Sequence, residues 1–282
     1  MRRIIQIILT VAVCWFAADV ARAADVSAPA HAVAGSDISL PTSGSGGATL
    51  YLFGPGTAIK QDVQLGSSVP LTLKHAGRYT AIVNGEAVAF DVAPAQPSEV
   101  AFLARPSRVP AATKDVITGT VFLFDKNRNL VTTPTPVKFD LTVEGGQPES
   151  RSVESKNGIA WIKLDSGKKA GPAQFVATAG NASVRRVVQE TASDPCNLRM
   201  HAQQTKDGVV VETDPVRDCA GNPVPDGTIV TFTATSPKGR DTVDARIKKG
   251  VAKAELPSLQ NATLTVASGV VVGNEIRVGG GM

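Results

Sequence analysis

Cys196 and Cys219 carry the most chemistry in this 282-residue sequence. Two thiols can form a disulfide, hold a metal ion or supply a nucleophile. The last two uses need partners, and the nearest histidine in sequence, His201, stands alone, with no Cys-x-x-Cys spacing anywhere. A disulfide needs only an oxidising compartment and two thiols that meet. The midpoint between the cysteines falls between Asp207 and Gly208, a hairpin-turn signal flanked by Leu198-Arg199-Met200 and Val209-Val210-Val211. A hairpin closed there sets the cysteines opposite each other, so a structural bridge is predicted, worth roughly 3 kcal/mol in the chain-entropy model.

The other reactive side chains do not assemble into a motif. His31, His75 and His201 are scattered. No Gly-x-Ser-x-Gly elbow, phosphate-cradling loop with lysine or His-Glu-x-x-His site is present, so no enzyme and no cofactor are expected. Asp214, Asp218, Asp226, Asp241 and Asp244 could in principle gather calcium, but their spacing lacks the alternate-position pattern of a calcium loop. They read as solvated turn residues, and no metal site is expected. Trp161 is the one tryptophan beyond the first 23 residues. In Gly158-Ile159-Ala160-Trp161-Ile162-Lys163-Leu164 it alternates with Ala160, Ile162 and Leu164, so it points away from the core with Lys163. An outward tryptophan is a possible binding anchor. The favoured alternative is a ring covered by a loop or by a neighbouring domain.

The leader sets the compartment in which these residues work. Arg2 and Arg3 precede an apolar run from Ile4 to Ala18, and Ala21-Arg22-Ala23 offers small residues for signal peptidase. Residues 1–23 therefore read as a secretory signal, too short to stay as a membrane span. Cys14 lies inside the apolar run after Val13, which argues against lipidation. Removing Arg2, Arg3, Arg22 and Asp19 with the leader leaves 26 basic and 24 acidic residues. The basic pairs, such as Lys168-Lys169 and Arg185-Arg186, lack aromatic neighbours, so nucleic-acid binding is not expected. No later stretch is apolar for long enough to cross a bilayer, so no stable membrane insertion is expected after signal cleavage.

The positioning elements are strands. Val, Thr, Ala, Gly and Pro dominate, and no segment after the leader keeps a 3.6-residue period. The chain also repeats itself. Asp125-Lys126-Asn127-Arg128-Asn129-Leu130-Val131 returns 93 residues later as Asp218-Cys219-Ala220-Gly221-Asn222-Pro223-Val224. Gly158-Ile159-Ala160 returns as Gly250-Val251-Ala252, and Val176-Ala177-Thr178-Ala179-Gly180 as Thr265-Val266-Ala267-Ser268-Gly269. Val137, Phe139, Leu141 and Val143 alternate with polar residues, and Val230, Phe232 and Ala234 hold the same phase. Short alternating strands between turn signals predict sandwiches of two antiparallel sheets.

Upstream, Thr49–Phe53, Val69–Leu73, Tyr79–Val83 and Ala87–Val92 read as strands of a weaker unit. Ala76-Gly77-Arg78-Tyr79 is similar to the turn and tyrosine before a late strand of many immunoglobulin-like sandwiches. The boundaries fall at Ala93-Pro94-Ala95-Gln96-Pro97 and around Ser193-Asp194-Pro195, short proline-bearing linkers that predict a semi-rigid rod.

The run Asp218, Gly221-Asn222-Pro223-Val224-Pro225-Asp226-Gly227-Thr228 and Val230-Thr231-Phe232-Thr233-Ala234 resembles the bacterial immunoglobulin-like domains of the invasin and intimin type. The match is good over 196–280 and decayed over 98–190, where the glycine-proline turn shrinks to Arg128-Asn129-Leu130. The expected layout is thus all-β, with tandem immunoglobulin-like sandwiches after a signal peptide. Residues 1–23 form the signal, 25–93 a small β-rich unit open as to fold, 98–190 one sandwich and 195–280 an invasin-type sandwich. The resemblance implies an exported, non-catalytic structural or interaction protein that binds a protein partner, with cell-surface adhesion as the role. A periplasmic accessory or carbohydrate-binding protein is the alternative. Scarce aromatics weigh against the sugar version.

Overall fold

The computed structural model describes residues 25–143, 147–257 and 260–279, and no helix occurs among them. The leader expected over 1–23, with Cys14, lies outside the described residues. The chain divides into two compact units, one ending at Ala93 and the other beginning at Pro94.

The first unit comprises β1 (Asp37–Pro41), β2 (Gly47–Gly54), β3 (Thr57–Gln64), β4 (Ser68–Thr72), β5 (Gly77–Val83) and β6 (Glu86–Val92). β1 pairs with β4, and the remaining strands form a sheet in the order β3-β2-β5-β6, all antiparallel. Ile38, Leu40, Leu50, Leu52, Leu71 and Val83 fill the space between the two sheets. Tyr79 is fully buried, and its hydroxyl donates to the His75 carbonyl at 2.9 Å. That bond closes a tyrosine corner of the immunoglobulin kind and gives the ring's one polar atom a partner. A Cβ on Gly54 would lie 2.1 Å from the Tyr79 ring, so glycine is what lets the ring lie flat against β2.

The second unit holds two cores. The first belongs to β7 (Glu99–Arg105), β8 (Arg108–Pro110), β9 (Ile117–Phe124), β10 (Pro136–Val143), β11 (Glu149–Glu154), β12 (Ile159–Leu164), β13 (Gly171–Ala179) and β14 (Ala182–Thr191). One sheet runs β12-β9-β7 and the facing one β11-β10-β13-β14-β8, in which β8 joins parallel to β14. The second core belongs to β15 (Met200–Gln204), β16 (Gly208–Thr213), β17 (Ile229–Ser236), β18 (Gly239–Arg246), β19 (Lys253–Pro257), β20 (Ala262–Ser268) and β21 (Val271–Val278). Its sheets run β15-β16-β19 and β18-β17-β20-β21. Alternation puts Val137, Phe139 and Leu141 of β10 and Val230 and Phe232 of β17 inside, in the phase expected from sequence.

The repeated aspartates are the joints of this unit. Asp125 is fully buried and accepts from the backbone amides of Asn127 and Asn129, the Asn129 side chain, and the amide of Ala95 in the stretch leading into β7. Asp218 accepts from the amides of Ala220 and Asn222, the Asn222 side chain, and the amide of Ser193 in the stretch leading into β15. Each carboxylate thus folds its own turn and ties down the incoming chain. Burial pushes both acids up, but the asparagine side chain and the backbone donors outweigh it and hold both below the ordinary aspartate value. Asp218 is therefore no solvated turn residue, contrary to expectation: at 4 % exposure it is structural.

Asn222 also reaches the neighbouring sandwich. Its amide donates to the Lys168 carbonyl at 2.8 Å, and its oxygen accepts from the Ala170 amide at 2.8 Å. Both bonds fall on the loop between β12 and β13.

Candidate functional site

The sulfurs of Cys196 and Cys219 are bonded, with their Cα atoms 4.9 Å apart. The geometry differs from the expected hairpin in one respect. β15 pairs with β16 so that Met200 faces Thr213, which places Cys196 beside Arg217, whose carbonyl accepts its amide, and Cys219 two residues further on. The bridge is diagonal. Gly208 is the reason. It is not spent in the turn but sits within β16, where a Cβ would come 2.2 Å from the Leu256 carbonyl oxygen. The reversal falls instead on Thr205, Lys206 and Asp207, and the Thr205 hydroxyl donates to the Gly208 carbonyl.

Among the described residues the histidines lie apart, and most of the acids in the turns are taken up by local hydrogen bonds. His201 is not isolated as the spacing suggested, because its Nδ1 lies 3.5 Å from Asp214 Oδ1 across the β15–β16 pair, with both side chains exposed. The His75 carbonyl is taken by Tyr79. Asp226 caps the Lys249 and Gly250 amides, and Asp244 accepts from the Thr231 hydroxyl. Among the described residues no three histidine, cysteine or acidic side chains come together as metal ligands. An open groove of about 750 Å³ lies where the two sandwiches of the second unit meet. Its lining mixes Pro110, Pro195, Pro225 and Ile229 with the hydroxyls of Thr113, Ser193, Thr228 and Ser268, and Asp194 is its one charge.

The feature that stands out is the outer face of β12-β9-β7. Trp161 points outward, as its alternation predicts, and it is 61 % exposed, without the covering loop that was the favoured expectation. The reason is positional, since β12 ends its sheet and pairs only with β9. Trp161 faces Thr120, which faces Leu103, and in the next row Ile159 faces Phe122, which faces Ala101. Phe124 and its bridge partner Leu130 extend the same face. Leu103, Leu130, Ile159 and Trp161 are four of the ten large exposed hydrophobic side chains among the described residues, and all four lie here. A largely apolar sheet face with an exposed tryptophan on its edge strand is unusual on a surface that has only water to meet. Glu99 closes one end of it, and Arg105 and Lys163 close the other.

Sequence reasoning missed Leu103, Leu130 and Ile159. Ile159 was within reach, since it alternates with Trp161 on β12, but Leu103 joins Trp161 only through strand register across some sixty residues, and Leu130 only through its bridge to Phe124. It also missed Tyr51 and Phe53, neighbours on the outer face of β2, where the Lys60 ammonium lies 5.8 Å from the Tyr51 ring centre.

No protein-family model matches the sequence, and no curated protein matches it. Among solved structures, the chain is similar to FdeC, an adhesin of Escherichia coli, at TM-score 0.63 and 16 % identity over 91 % of this chain and 96 % of that one. It is similar to InvD of Yersinia pseudotuberculosis at TM-score 0.52 and 13 % identity, over 90 % and 96 %. Invasin, a bacterial integrin-binding protein, aligns at TM-score 0.49 and 14 % identity, over 89 % of this chain and 57 % of that one. The likeness to the first two of these structures shows the fold, an all-β chain of tandem immunoglobulin-like sandwiches.

Proposed function

We propose that this chain is an exported, non-catalytic array of immunoglobulin-like domains that acts in cell-surface adhesion by binding protein through the β12-β9-β7 face. The carrying observation is Trp161, 61 % exposed among Leu103, Leu130 and Ile159 on a sheet that nothing in the second unit covers. A tryptophan amid aliphatic neighbours with arginine at the rim has the composition of a binding hot spot. The likeness to an Escherichia coli adhesin supports the role.

The test has two stages. External protease applied to intact producing cells should digest the protein while a periplasmic marker survives; protection until the outer membrane is opened would reassign it to the periplasm. Trp161→Ala should then lower adhesion of the producing cells at least tenfold with the fold unchanged. The carbohydrate reading has one observation in its favour, the paired exposed rings of Tyr51 and Phe53. Retention on a polysaccharide column that is lost in a Tyr51→Ala/Phe53→Ala variant, with Trp161→Ala silent, would select it.

A further inference from the structure

We infer that the β12-β9-β7 face docks on the same face of a second copy of this chain, about a two-fold axis running across the strands. This rests on reading the face as a protein-binding surface and adds the identity of the partner.

The argument is the order of charges along the sheet. On β7 the outward residues run Glu99, Ala101, Leu103, Arg105, and Lys163 shares the row of Arg105 through Thr118. Glu99, Arg105 and Lys163 form no ion pair among the described residues, so their charges are uncommitted. The midpoint of Glu99 and Arg105 falls between the Ala101 row and the Leu103 row. A two-fold axis there reverses strand direction across the contact. It lays Glu99 of each copy over Arg105 of the other, and Trp161 of each over Ile159 of the other. A foreign partner would need a base and an acid spaced roughly 20 Å apart in the opposite order. This chain already presents them, which is the self-complementarity an isologous contact requires.

The area sets the strength. Three strands about 4.8 Å apart and roughly 20 Å long offer some 300 Å² per copy, under half the ~800 Å² per partner of a standard stable interface. Two free chains therefore associate weakly. Copies arrayed on facing surfaces gain by multivalency, so the contact suits cell-to-cell cohesion.

Sedimentation velocity of the purified chain over rising concentration tests this. The expected result is a reversible monomer–dimer equilibrium in the micromolar to millimolar range, weakened at least tenfold by Arg105→Glu or by Glu99→Arg alone. The double variant Glu99→Arg/Arg105→Glu, which rebuilds both pairs in reverse, should recover association to within about threefold of the parent. Both positions are exposed, and circular dichroism verifies the fold of each of the three variants. A parent that stays monomeric to about 1 mM, or a double variant no better than the singles, overturns the inference. If adhesion still depends on Trp161 in that case, the binding face stands and only its partner changes.

Discussion

The two sandwiches of the second unit share a strand plan and differ in what fills it. The core of the first holds Phe102, Phe139 and Phe175, whose ring centres lie 5.0 to 6.1 Å apart. Gly119 makes room for them, since a Cβ there would sit 2.7 Å from Phe175 and 3.2 Å from Phe102. The core of the second has Phe232 as its one aromatic among buried Val, Leu, Ala, Ile and Met. It carries the Cys196–Cys219 bridge instead, at the edge where the chain enters. Large interlocked rings bury more apolar area than small side chains do. A covalent tie lowers the entropy of the unfolded chain without burying anything. Both copies are packed, but the first relies on interlocked rings and the second adds a cross-link to a core of smaller side chains.

The most damaging way to break the contrast is Phe175→Ala. It removes one of three mutually contacting rings, from a site with no exposure, and should cost the first sandwich about 4 kcal/mol. Hydrogen exchange read on the full chain should accelerate throughout β10 and β13 and much less in β17 and β20. Removing the bridge with Cys196→Ala/Cys219→Ala should do the reverse, at about 3 kcal/mol. Equal loss of protection in both sandwiches for either variant would mean that they unfold as one cooperative body and that the division of labour is illusory.

The copies also differ in how they treat buried acids. Asp125 and Asp218 play the same part in each. Because their folded values lie below the ordinary one, they stabilise fully above the unfolded aspartate pKa and lose this as pH falls through the folded value. Glu190, at the end of β14, runs the other way. It is fully buried, accepts from the Gly167 amide through Oε1, and leaves Oε2 without a partner. Burial raises its pKa, with the Gly167 bond opposing, so its contribution is complete below the unfolded glutamate value and is lost as pH rises through the folded one. Glu190→Gln should therefore stabilise the first sandwich by about 1 kcal/mol at neutral pH, with no gain near pH 4. Thermal melts of parent and variant at the two pH values check the sign.

What the sequence discloses and what it hides divide along a physical line. The alternation in Val137–Val143 and in Ala160, Ile162 and Leu164 reports which face of a strand is wet, because side chains alternate with the backbone. The 93-residue echo reports that one fold is used twice. Tyr79 announces its corner because a buried phenol needs an acceptor close by. Register is hidden. The β15–β16 pairing depends on Gly208 lying against Leu256, nearly fifty residues away, so a turn dipeptide read locally gives the wrong centre. The same holds for the candidate face, where Trp161 and Ile159 are legible by alternation and the cross-strand neighbours Leu103 and Leu130 are not. The burial of Asp218 is hidden for a further reason. An aspartate in a turn looks alike in sequence whether its donors are water or four groups of its own chain.

The smallest expected effect is the sharpest test of whether the first copy's turn has decayed. Its four-residue loop matches the second's bond for bond. Asp125 N donates to the Asn129 carbonyl as Asp218 N does to Asn222, and Arg128 N donates to the Asp125 carbonyl as Gly221 N does to Asp218. Both loops need a left-handed residue at the third step after the aspartate. Gly221 meets the need at φ 86°, and Arg128 meets it at φ 64°. A side chain there costs about 1 kcal/mol, while glycine spends part of that gain on a looser unfolded chain. Arg128→Gly should thus stabilise the first sandwich by a few tenths of a kcal/mol, and Gly221→Arg should destabilise the second by about as much, both read by denaturant midpoints at unchanged slope. A loss of stability in Arg128→Gly would show that the arginine makes a compensating contact, and that the first turn is adapted to its side chain.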